Sequence, residues 1–391
     1  MTKAGIGLSE DANPATAAHQ AARDAMAQLG EIRGDAVLLF ASPQHCAEYS
    51  TLYQVIHTVC GTDAIVGCSG TGVLTARDEI EEGPAVAVLA IVSDQVRIRP
   101  FLIEQKVNEP LVVEKSIRPL LADAQGRGRL FVIFPDPYGV ETGHFVQSLE
   151  RLAPDVTIVG AAPAGQTGSR DTFQWLGPRI CRGGVAGFLM SGSFEAHVAV
   201  TQGCQPIGEP FIVTRADGNI VYEIGRLPAA TILQQALETV PAEDHERERY
   251  PVFAGVAIDE LKEDFGRGDF LVRNLVRLDP NSGSIAVAGG IRTGQTIQFH
   301  LRDVQAAMDD MREKVAHLAS ELDEEPPAFG LYFNAFNRGS DLYERHNFDT
   351  SVIREFLGNF PLIGINGSAE IAPVGRRNLV HHYSGVLVVV R

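Results

Sequence analysis

One short turn of this sequence combines residue types that could bind a charged small molecule. Residues 67–72 are nearly all small, so their backbone N–H groups have no bulky cover. Such a turn can form a concave nest of donors for an anion or a carboxylate. The ligand contacts predicted for it are Gly67, Cys68, Ser69, Gly70 and Thr71. The alternative is a tight turn that only connects two strands.

This turn does not match the common phosphate-binding or hydrolase motifs. No lysine follows at the position that a Walker A loop requires, and the glycine spacing is wrong for a nucleophile elbow. Cys68 is a candidate nucleophile, but that role needs a nearby base, and the sequence places no histidine beside it. The alternative for Cys68 is a small buried side chain at the end of a strand.

A second polar group lies near the C-terminus. Asn334 and Arg338 stand at the end of a predicted strand, which is where α/β folds place ligands. The guanidinium could hold a carboxylate or phosphate through two hydrogen bonds, or it could form an internal ion pair with Glu370 or Asp341. Glu370 lies among small residues at a turn, where a carboxylate needs a partner. That partner is either a ligand amine or the N–H groups of the loop.

The histidines and cysteines do not indicate a metal site. His381 and His382 are adjacent, so in a strand their side chains point to opposite faces. The five cysteines include no C-x-x-C pair, and no histidine pair has supporting ligands at metal-site spacing. Neither a metal nor another cofactor is predicted from these residues.

The elements that must position these residues recur three times. Each copy consists of a strand, a polar loop, a helix, a short apolar strand ending in glycine, a turn of small residues and a long strand. The glycines that end the short strands are Gly67, Gly160 and Gly364. The pattern predicts an α/β fold, an α+β layered sandwich of repeated strand-helix-strand modules in two associated domains. The predicted divisions are a helical lead-in at 1–33, a first domain at 34–226 and a second at 227–391.

Composition limits the classes of partner. The net charge is −16 and the sequence pI is near 5.1, which disfavours binding to the phosphate backbone of a nucleic acid. The N-terminus lacks an apolar signal core, and no apolar run approaches the roughly 18 residues of a membrane span. Scattered cysteines are typical of a reducing compartment. We therefore expect a cytoplasmic protein that binds neither nucleic acid nor membrane.

The chain resembles the FIST family in the order of its motifs from about residue 30 to 380. Residues 192–208 resemble a signature late in the FIST N-terminal domain, and residues 67–72 resemble its Gly-Cys-Ser turn. Residues 337–339 and 364–373 resemble parts of the FIST C-terminal domain. The sequence departs from the family at 334–336, where a frequent cysteine is replaced, and at 368–369. These departures prevent the identity of the ligand from being carried over.

The resemblance implies a sensory domain that binds a small ligand, with amino acids as suggested ligands. Some members are described as haem-binding gas sensors, and others carry an F-box, which the first 30 residues of this chain are too short to contain. We expect a signal-transduction protein that relays through a separate output protein. The ligand is expected at strand-end loops between the two domains, with the first turn and Arg338 holding a carboxylate and Glu370 an amine. The alternatives are an enzyme using Cys68 or Cys204 and a haem-based sensor.

Overall fold

The computed structural model describes two compact units of mixed helix and strand, which confirms the predicted α/β class. Unit 1 comprises Met1–Val200 and Arg312–Arg391, and unit 2 comprises Thr201–Met311. The described residues are 1–30, 33–104, 112–154, 156–166, 168–240, 252–322 and 325–391. The limits of the units differ from the domain limits predicted at 33/34 and 226/227, which stay a prediction.

The helices include the ones predicted for each of the three copies. They are α1 (Pro14–Leu29), α2 (Tyr49–Cys60), α3 (Val113–Ala122), α4 (Thr142–Leu152), α5 (Ala229–Glu238), α6 (Val304–Glu321), α7 (Ser340–Tyr343) and α8 (Phe348–Leu357). Asn13 caps α1 by accepting a hydrogen bond from the Thr16 N–H, and Gly30 ends the helix in the left-handed conformation. In the part of the chain that the structure describes, no helix is long and apolar enough to cross a membrane.

Unit 1 contains three sheets, each of six strands that follow one another in space in the order below. The first is β1 (Thr2–Ser9), β6 (Val86–Ser93), β2 (Ala36–Ala41), β3 (Ile65–Ser69), β10 (Gln174–Leu176) and β11 (Arg179–Cys181). The second is β7 (Val96–Ile103), β12 (Val185–Gly192), β8 (Gly128–Pro135), β9 (Thr157–Ala162), β23 (Ala369–Val374) and β24 (Arg377–His381). The third is β13 (Ala196–Gln202), β25 (Ser384–Val390), β21 (Phe329–Ala335), β22 (Leu362–Gly367), β4 (Val73–Thr75) and β5 (Glu79–Ile80).

The three sheets follow one plan, which confirms the predicted threefold repeat. Each has a central parallel pair, namely β2–β3, β8–β9 and β21–β22, whose strands are joined through α2, α4 and α8. Each sheet is completed by a hairpin from a different repeat. Hairpin β4–β5 of the first repeat joins the third sheet, β10–β11 of the second joins the first sheet, and β23–β24 of the third joins the second sheet. The repeats are therefore interlocked.

The recurring glycines have one physical cause. Gly67, Gly160 and Gly364 occupy the same register position, opposite Leu39, Ile133 and Tyr332 in the parallel pairs. At each of them a Cβ atom would lie less than 3.0 Å from the carbonyl oxygen of that partner residue. Only glycine allows the two backbones to approach so closely.

The core of unit 1 lies between the inner faces of the three sheets. Phe40, Phe134 and Phe333 each follow the residue opposite the repeat's glycine, and all three are fully buried. The ring centroids of Phe40 and Phe134 are 5.4 Å apart, and those of Phe134 and Phe333 are 6.2 Å apart. Their edge-to-face contacts are the arrangement that aromatic pairs favour, so three distant segments meet in one cluster. Helices α1 and α2 cover the outer face of the first sheet, and α3 and α4 that of the second.

Unit 2 contains an antiparallel sheet and a helix. In spatial order its strands are β14 (Cys204–Asp217), β20 (Thr296–Arg302), β17 (Val252–Ala257), β18 (Phe270–Asp279), β19 (Ser284–Val287), β15 (Ile220–Ile224) and β16 (Leu227–Pro228). A further pairing of β14 with β15 closes the sheet. Its apolar core includes Val213, Ile232 and Phe299. The helix predicted from residue 227 to 248 is observed as α5, and its predicted end lies outside the described residues.

The lead-in at 1–33 contains a strand that was not predicted. Gly5 and Gly7 interrupt the apolar pattern of β1, so its strand signal is weak. Both glycines are needed because a Cβ on either would lie less than 3.0 Å from a backbone oxygen of α1, that of Ala25 or Ala21. The close packing of β1 on α1 therefore explains the two glycines that make β1 hard to recognise in the sequence.

Candidate functional site

The three glycine turns meet in a ring of backbone hydrogen bonds. In each repeat, the N–H four residues after the recurring glycine donates to the carbonyl two residues after the glycine of another repeat. The bonds run from Thr71 to Asn366 at 3.0 Å, from Ala164 to Ser69 at 3.1 Å, and from Ser368 to Ala162 at 2.9 Å. The predicted meeting of the strand ends is thus present as direct contact within unit 1, and the turns leave no cleft between these bonded atoms.

The donors expected to form an anion nest in the first turn are used by the protein itself. The N–H groups of Ser69, Gly70 and Thr71 donate to the carbonyl oxygens of Phe173, Ala41 and Asn366. The Ser69 hydroxyl donates to the Ala164 carbonyl at 3.0 Å. Three of the donors expected for the nest at residues 67–71 are therefore used within the protein, and ligand binding by these residues stays a prediction. Thr71 alone among these five residues is not buried.

Cys68 lies inside β3, where it pairs with Phe40 on one side and Gln174 on the other. It is fully buried, and this burial raises the pKa of its thiol well above the usual value. A catalytic cysteine needs a lowered pKa and access to substrate. The position of Cys68 opposes the predicted alternative in which it is a nucleophile. Cys204 is also buried.

The Arg338 side chain forms a buried ion pair, but with neither predicted partner. Its Nη2 donates to Asp349 Oδ1 at 3.3 Å, and both side chains are fully buried. The same Nη2 donates to the Tyr343 hydroxyl. Asp349 also accepts hydrogen bonds from the hydroxyls of Tyr332 at 2.9 Å and Tyr343 at 2.7 Å. Nη2 of the guanidinium is therefore fixed by two acceptors, and Asp349 compensates its charge.

Several other polar atoms nearby are buried without a hydrogen-bond partner among the described residues. They are Nε and Nη1 of Arg338, both side-chain amide atoms of Asn334, Oδ1 of Asn366 and Oε1 of Glu370. Each of these four side chains is at most 5% exposed. Such atoms are rare in folded proteins, because each costs roughly 1–3 kcal/mol of desolvation. We call Asn334, Arg338, Asn366 and Glu370 the polar cluster.

The sheet geometry brings these four residues to one end of the third repeat. Asn334 and Asn366 are directly paired in the parallel strands β21 and β22. Glu370 Oε2 accepts hydrogen bonds from the Ser384 N–H at 3.2 Å and from its hydroxyl at 2.7 Å. Ser384 begins β25, whose next residue, Gly385, pairs with Asn334. Three of the predicted site residues, Asn334, Arg338 and Glu370, thus belong to one buried region.

The charge of Glu370 is disfavoured by its surroundings. Burial raises the pKa of this carboxyl to about 8, although the Ser384 hydrogen bonds and the positive charge of Arg338 act in the opposite direction. The carboxyl group is therefore largely protonated near neutral pH and can donate a hydrogen bond as well as accept one. An ammonium group brought to its free Oε1 would favour the charged form instead.

Sequence reasoning missed the residues that hold this region in place. Glu79 Oε1 accepts hydrogen bonds from the Thr350 N–H and hydroxyl, both at 2.8 Å, and burial and the charge of Asp349 raise the pKa of Glu79. Glu81 accepts hydrogen bonds from Ser340. Both acids come from the β4–β5 region of the first repeat. The sequence around Arg338 gives no indication that this region lies beside it. Tyr332, a hydroxyl-bearing residue in an apolar strand, was the one local signal available.

Comparisons with known proteins cover almost the whole chain. The model of the FIST N domain matches residues 35–226, and that of the FIST C domain matches residues 229–373. An uncharacterized protein of Mycobacterium tuberculosis is 29% identical over 385 residues, covering 98% of each chain. An uncharacterized protein of Mycobacterium bovis is 29% identical over 390 residues, again covering 98% of each chain. A crystal structure of a cyanuric acid hydrolase from A. caulinodans is 12% identical, covers 100% of this chain and 99% of its own, and has a TM-score of 0.33, too low to support an argument.

Proposed function

Because this chain belongs to the FIST family, we propose that it is a sensory protein whose small-molecule ligand is held by the polar cluster. FIST domains in general are sensory domains of signal transduction that bind small ligands. The observation that carries it is the set of partnerless buried atoms on Asn334, Arg338 and Glu370.

The free atoms match a ligand that carries both acceptors and donors. Nε and Nη1 of Arg338 each keep an N–H group without a partner, and each can donate a charge-assisted hydrogen bond to an acceptor oxygen of a ligand. Asn334 offers one further donor and one further acceptor. Oε1 of Glu370 would accept a hydrogen bond from an amine. An amino acid or a similar metabolite satisfies all three groups.

The alternative of a purely structural cluster is disfavoured by the other two repeats. The register position of Asn334 is occupied by Ala41 in the first repeat and Pro135 in the second. The fold is therefore built twice without a polar side chain at this position. An amide placed there costs desolvation in the empty protein, and a ligand that pairs with it would recover that cost.

The proposed response is transmitted to a separate output protein in the cytoplasm. All five cysteines are free thiols, which suits a reducing compartment. The ligand would tie together Arg338, which lies in the loop after β21 of the third sheet, and Glu370, which lies in β23 of the second sheet. Binding would thus tighten the interlocked repeats, and a partner that recognises the tightened form would detect the ligand. The haem-based alternative stays a prediction.

Mass spectrometry of small molecules released from natively purified protein tests the proposal. We expect one compound in near-stoichiometric amount from the wild-type protein and much less from the Asn334→Ala and Glu370→Gln variants. The exposed substitution Glu355→Gln serves as the control and should release the wild-type amount. Isothermal titration of the identified compound, and of a panel of amino acids, then measures affinity. If nothing is released and nothing in the panel binds the folded protein, the polar cluster is not the ligand site.

A further inference from the structure

The polar cluster is closed to solvent, so a ligand can reach it only if an element of the protein moves. Asn334 and Glu370 have no exposed surface and Arg338 is 1% exposed. Three of the surrounding strands, β21, β22 and β25, are paired on both sides within the third sheet. Strands paired on both sides open only at a high free-energy cost. A surface segment is therefore the element that must open.

The segment from Gly339 to Asn347 covers Arg338. It includes α7, whose Tyr343 side chain lies over Arg338 and hydrogen-bonds to its Nη2. Gly339, Glu344 and Asn347 all have positive φ, at 75°, 54° and 60°. The two residues among them that carry side chains are held in a conformation that is sparsely populated by non-glycine residues. The segment thus has a strained residue near its middle, Glu344, and another at its end, Asn347.

This segment is fastened at both ends by the hairpin of the first repeat. The Ser340 N–H donates to both carboxylate oxygens of Glu81 at 3.0 Å, and its hydroxyl donates to Glu81 as well. At the other end the Glu79 N–H donates to the Asn347 side-chain oxygen at 2.8 Å. Gly339 is required beside the contact between Ser340 and Glu81, because a Cβ at residue 339 would lie less than 3.0 Å from the Glu81 carboxylate.

The Glu81 side chain, which accepts the Ser340 hydrogen bonds, is accessible to solvent. Glu81 lines a surface cavity of about 290 Å³, together with Gln44, Thr71 and Gly165 of the first and second repeats. Its side chain is 13% exposed, whereas that of Glu79 is buried. The cavity therefore reaches the side chain of Glu81, the acceptor of the hydrogen bonds that Ser340 donates.

We propose that residues 339–347 form a gate over the polar cluster, that Glu81 is its latch through Ser340, and that the cavity beside Thr71 is the entrance. The proposal rests on the proposed function for the identity of what enters. Opening swings Tyr343 away from Arg338 and exposes the guanidinium to the cavity. A ligand bearing a donor group competes with Ser340 for the Glu81 carboxylate during entry.

Chemical modification of Arg338 by phenylglyoxal, measured peptide by peptide with mass spectrometry, tests the gate without any ligand. We expect slow modification in the wild-type protein and a rate at least about tenfold higher in Glu81→Ala, because charge-assisted hydrogen bonds are lost. Glu81→Gln keeps an acceptor and should give an intermediate rate. Glu313→Ala removes the same charge at an exposed position that does not line the cavity and should leave the rate unchanged.

Hydrogen exchange distinguishes local opening of residues 339–347 from a loss of stability of the whole protein in Glu81→Ala. In Glu81→Ala, and more weakly in Ser340→Ala, the amides of Leu342, Tyr343 and Glu344 should exchange faster while those of β21 keep their protection. Unchanged exchange and modification in folded Glu81→Ala, or an equal increase in Glu313→Ala, overturns the gate. Since no ligand is used, that result leaves ligand binding intact. A working gate with no bound compound overturns only the proposed ligand site.

Discussion

Asp349 lies 3.3 Å from Arg338 in the interior of unit 1, with neither side chain exposed. Replacing the carboxylate by an amide leaves the buried positive charge of Arg338 without a counter-ion and places an NH2 group where one of the two tyrosine hydroxyls had an acceptor. We expect Asp349→Asn to lower the free energy of unfolding by about 3–5 kcal/mol, as measured by denaturant titration. The exposed pair Arg312–Glu355 is the control, and Glu355→Gln should cost less than about 1 kcal/mol. Equal costs for the two variants would contradict the buried ion pair.

Asn334 should show opposite effects on stability and on binding. Asn334→Ala removes two partnerless buried atoms, and alanine already occupies the matching position of the first repeat as Ala41. We expect the free energy of unfolding of the ligand-free protein to stay the same or to rise by about 1 kcal/mol. Retention of the released compound should fall by at least about tenfold. A large loss of stability would indicate instead that Asn334 has a structural partner.

Glu370 should make stability depend on pH. Its folded-state pKa of about 8 lies above the ordinary value of 4.5, so between these values the folded state binds more protons than the unfolded state. The stabilising contribution is therefore complete below about pH 4.5 and is lost as the pH rises to about 8. The slope approaches 1.4 kcal/mol per pH unit, or about one proton.

The measurement is the difference in free energy of unfolding between the wild-type protein and Glu370→Gln from pH 5 to pH 8. The glutamine variant does not titrate, so it should gain on the wild-type protein as the pH rises. Subtracting the two curves removes the contributions of other buried groups, such as His381, whose pKa burial lowers to about 4. A difference that is constant with pH would mean that Glu370 is charged or accessible.

Gly67 should tolerate no side chain, because a Cβ there meets the Leu39 carbonyl oxygen. We expect Gly67→Ala to lower the free energy of unfolding by about 3 kcal/mol or more, since backbone atoms must shift. Gly34→Ala is the matched control, because the nearest atom to its added Cβ is 3.8 Å away. If the two variants are equally stable, the close approach of β2 and β3 is wrong.

The cysteines should differ in reactivity according to burial. Cys46 is exposed and should be alkylated readily in the native protein, whereas Cys68 is buried with a raised pKa and should react only on unfolding. Mass spectrometry of peptides after timed iodoacetamide treatment measures both rates. Rapid native alkylation of Cys68 would revive the alternative of a cysteine-dependent enzyme.

The sequence by itself determined the α/β class, the threefold repeat and three of the residues that meet at the polar cluster. These features are local. Short apolar strands, their terminal glycines and polar strand-end residues are readable within a window of about ten residues. The glycines were informative because one steric requirement, the approach of two parallel backbones, acts in every repeat.

Only the tertiary structure decided which residues surround Arg338 and what the first turn does. Ser340 and Glu81 are 259 positions apart, and Thr71 and Asn366 are 295 apart. Such contacts exist because each repeat gives its hairpin to another repeat's sheet, an exchange that leaves no local pattern. The same exchange brought carbonyl oxygens of the second and third repeats to the N–H groups of Ser69 and Thr71. It also placed Glu79 and Glu81 beside residues 339–347, the segment that covers Arg338, although both acids are distant from this segment in the sequence.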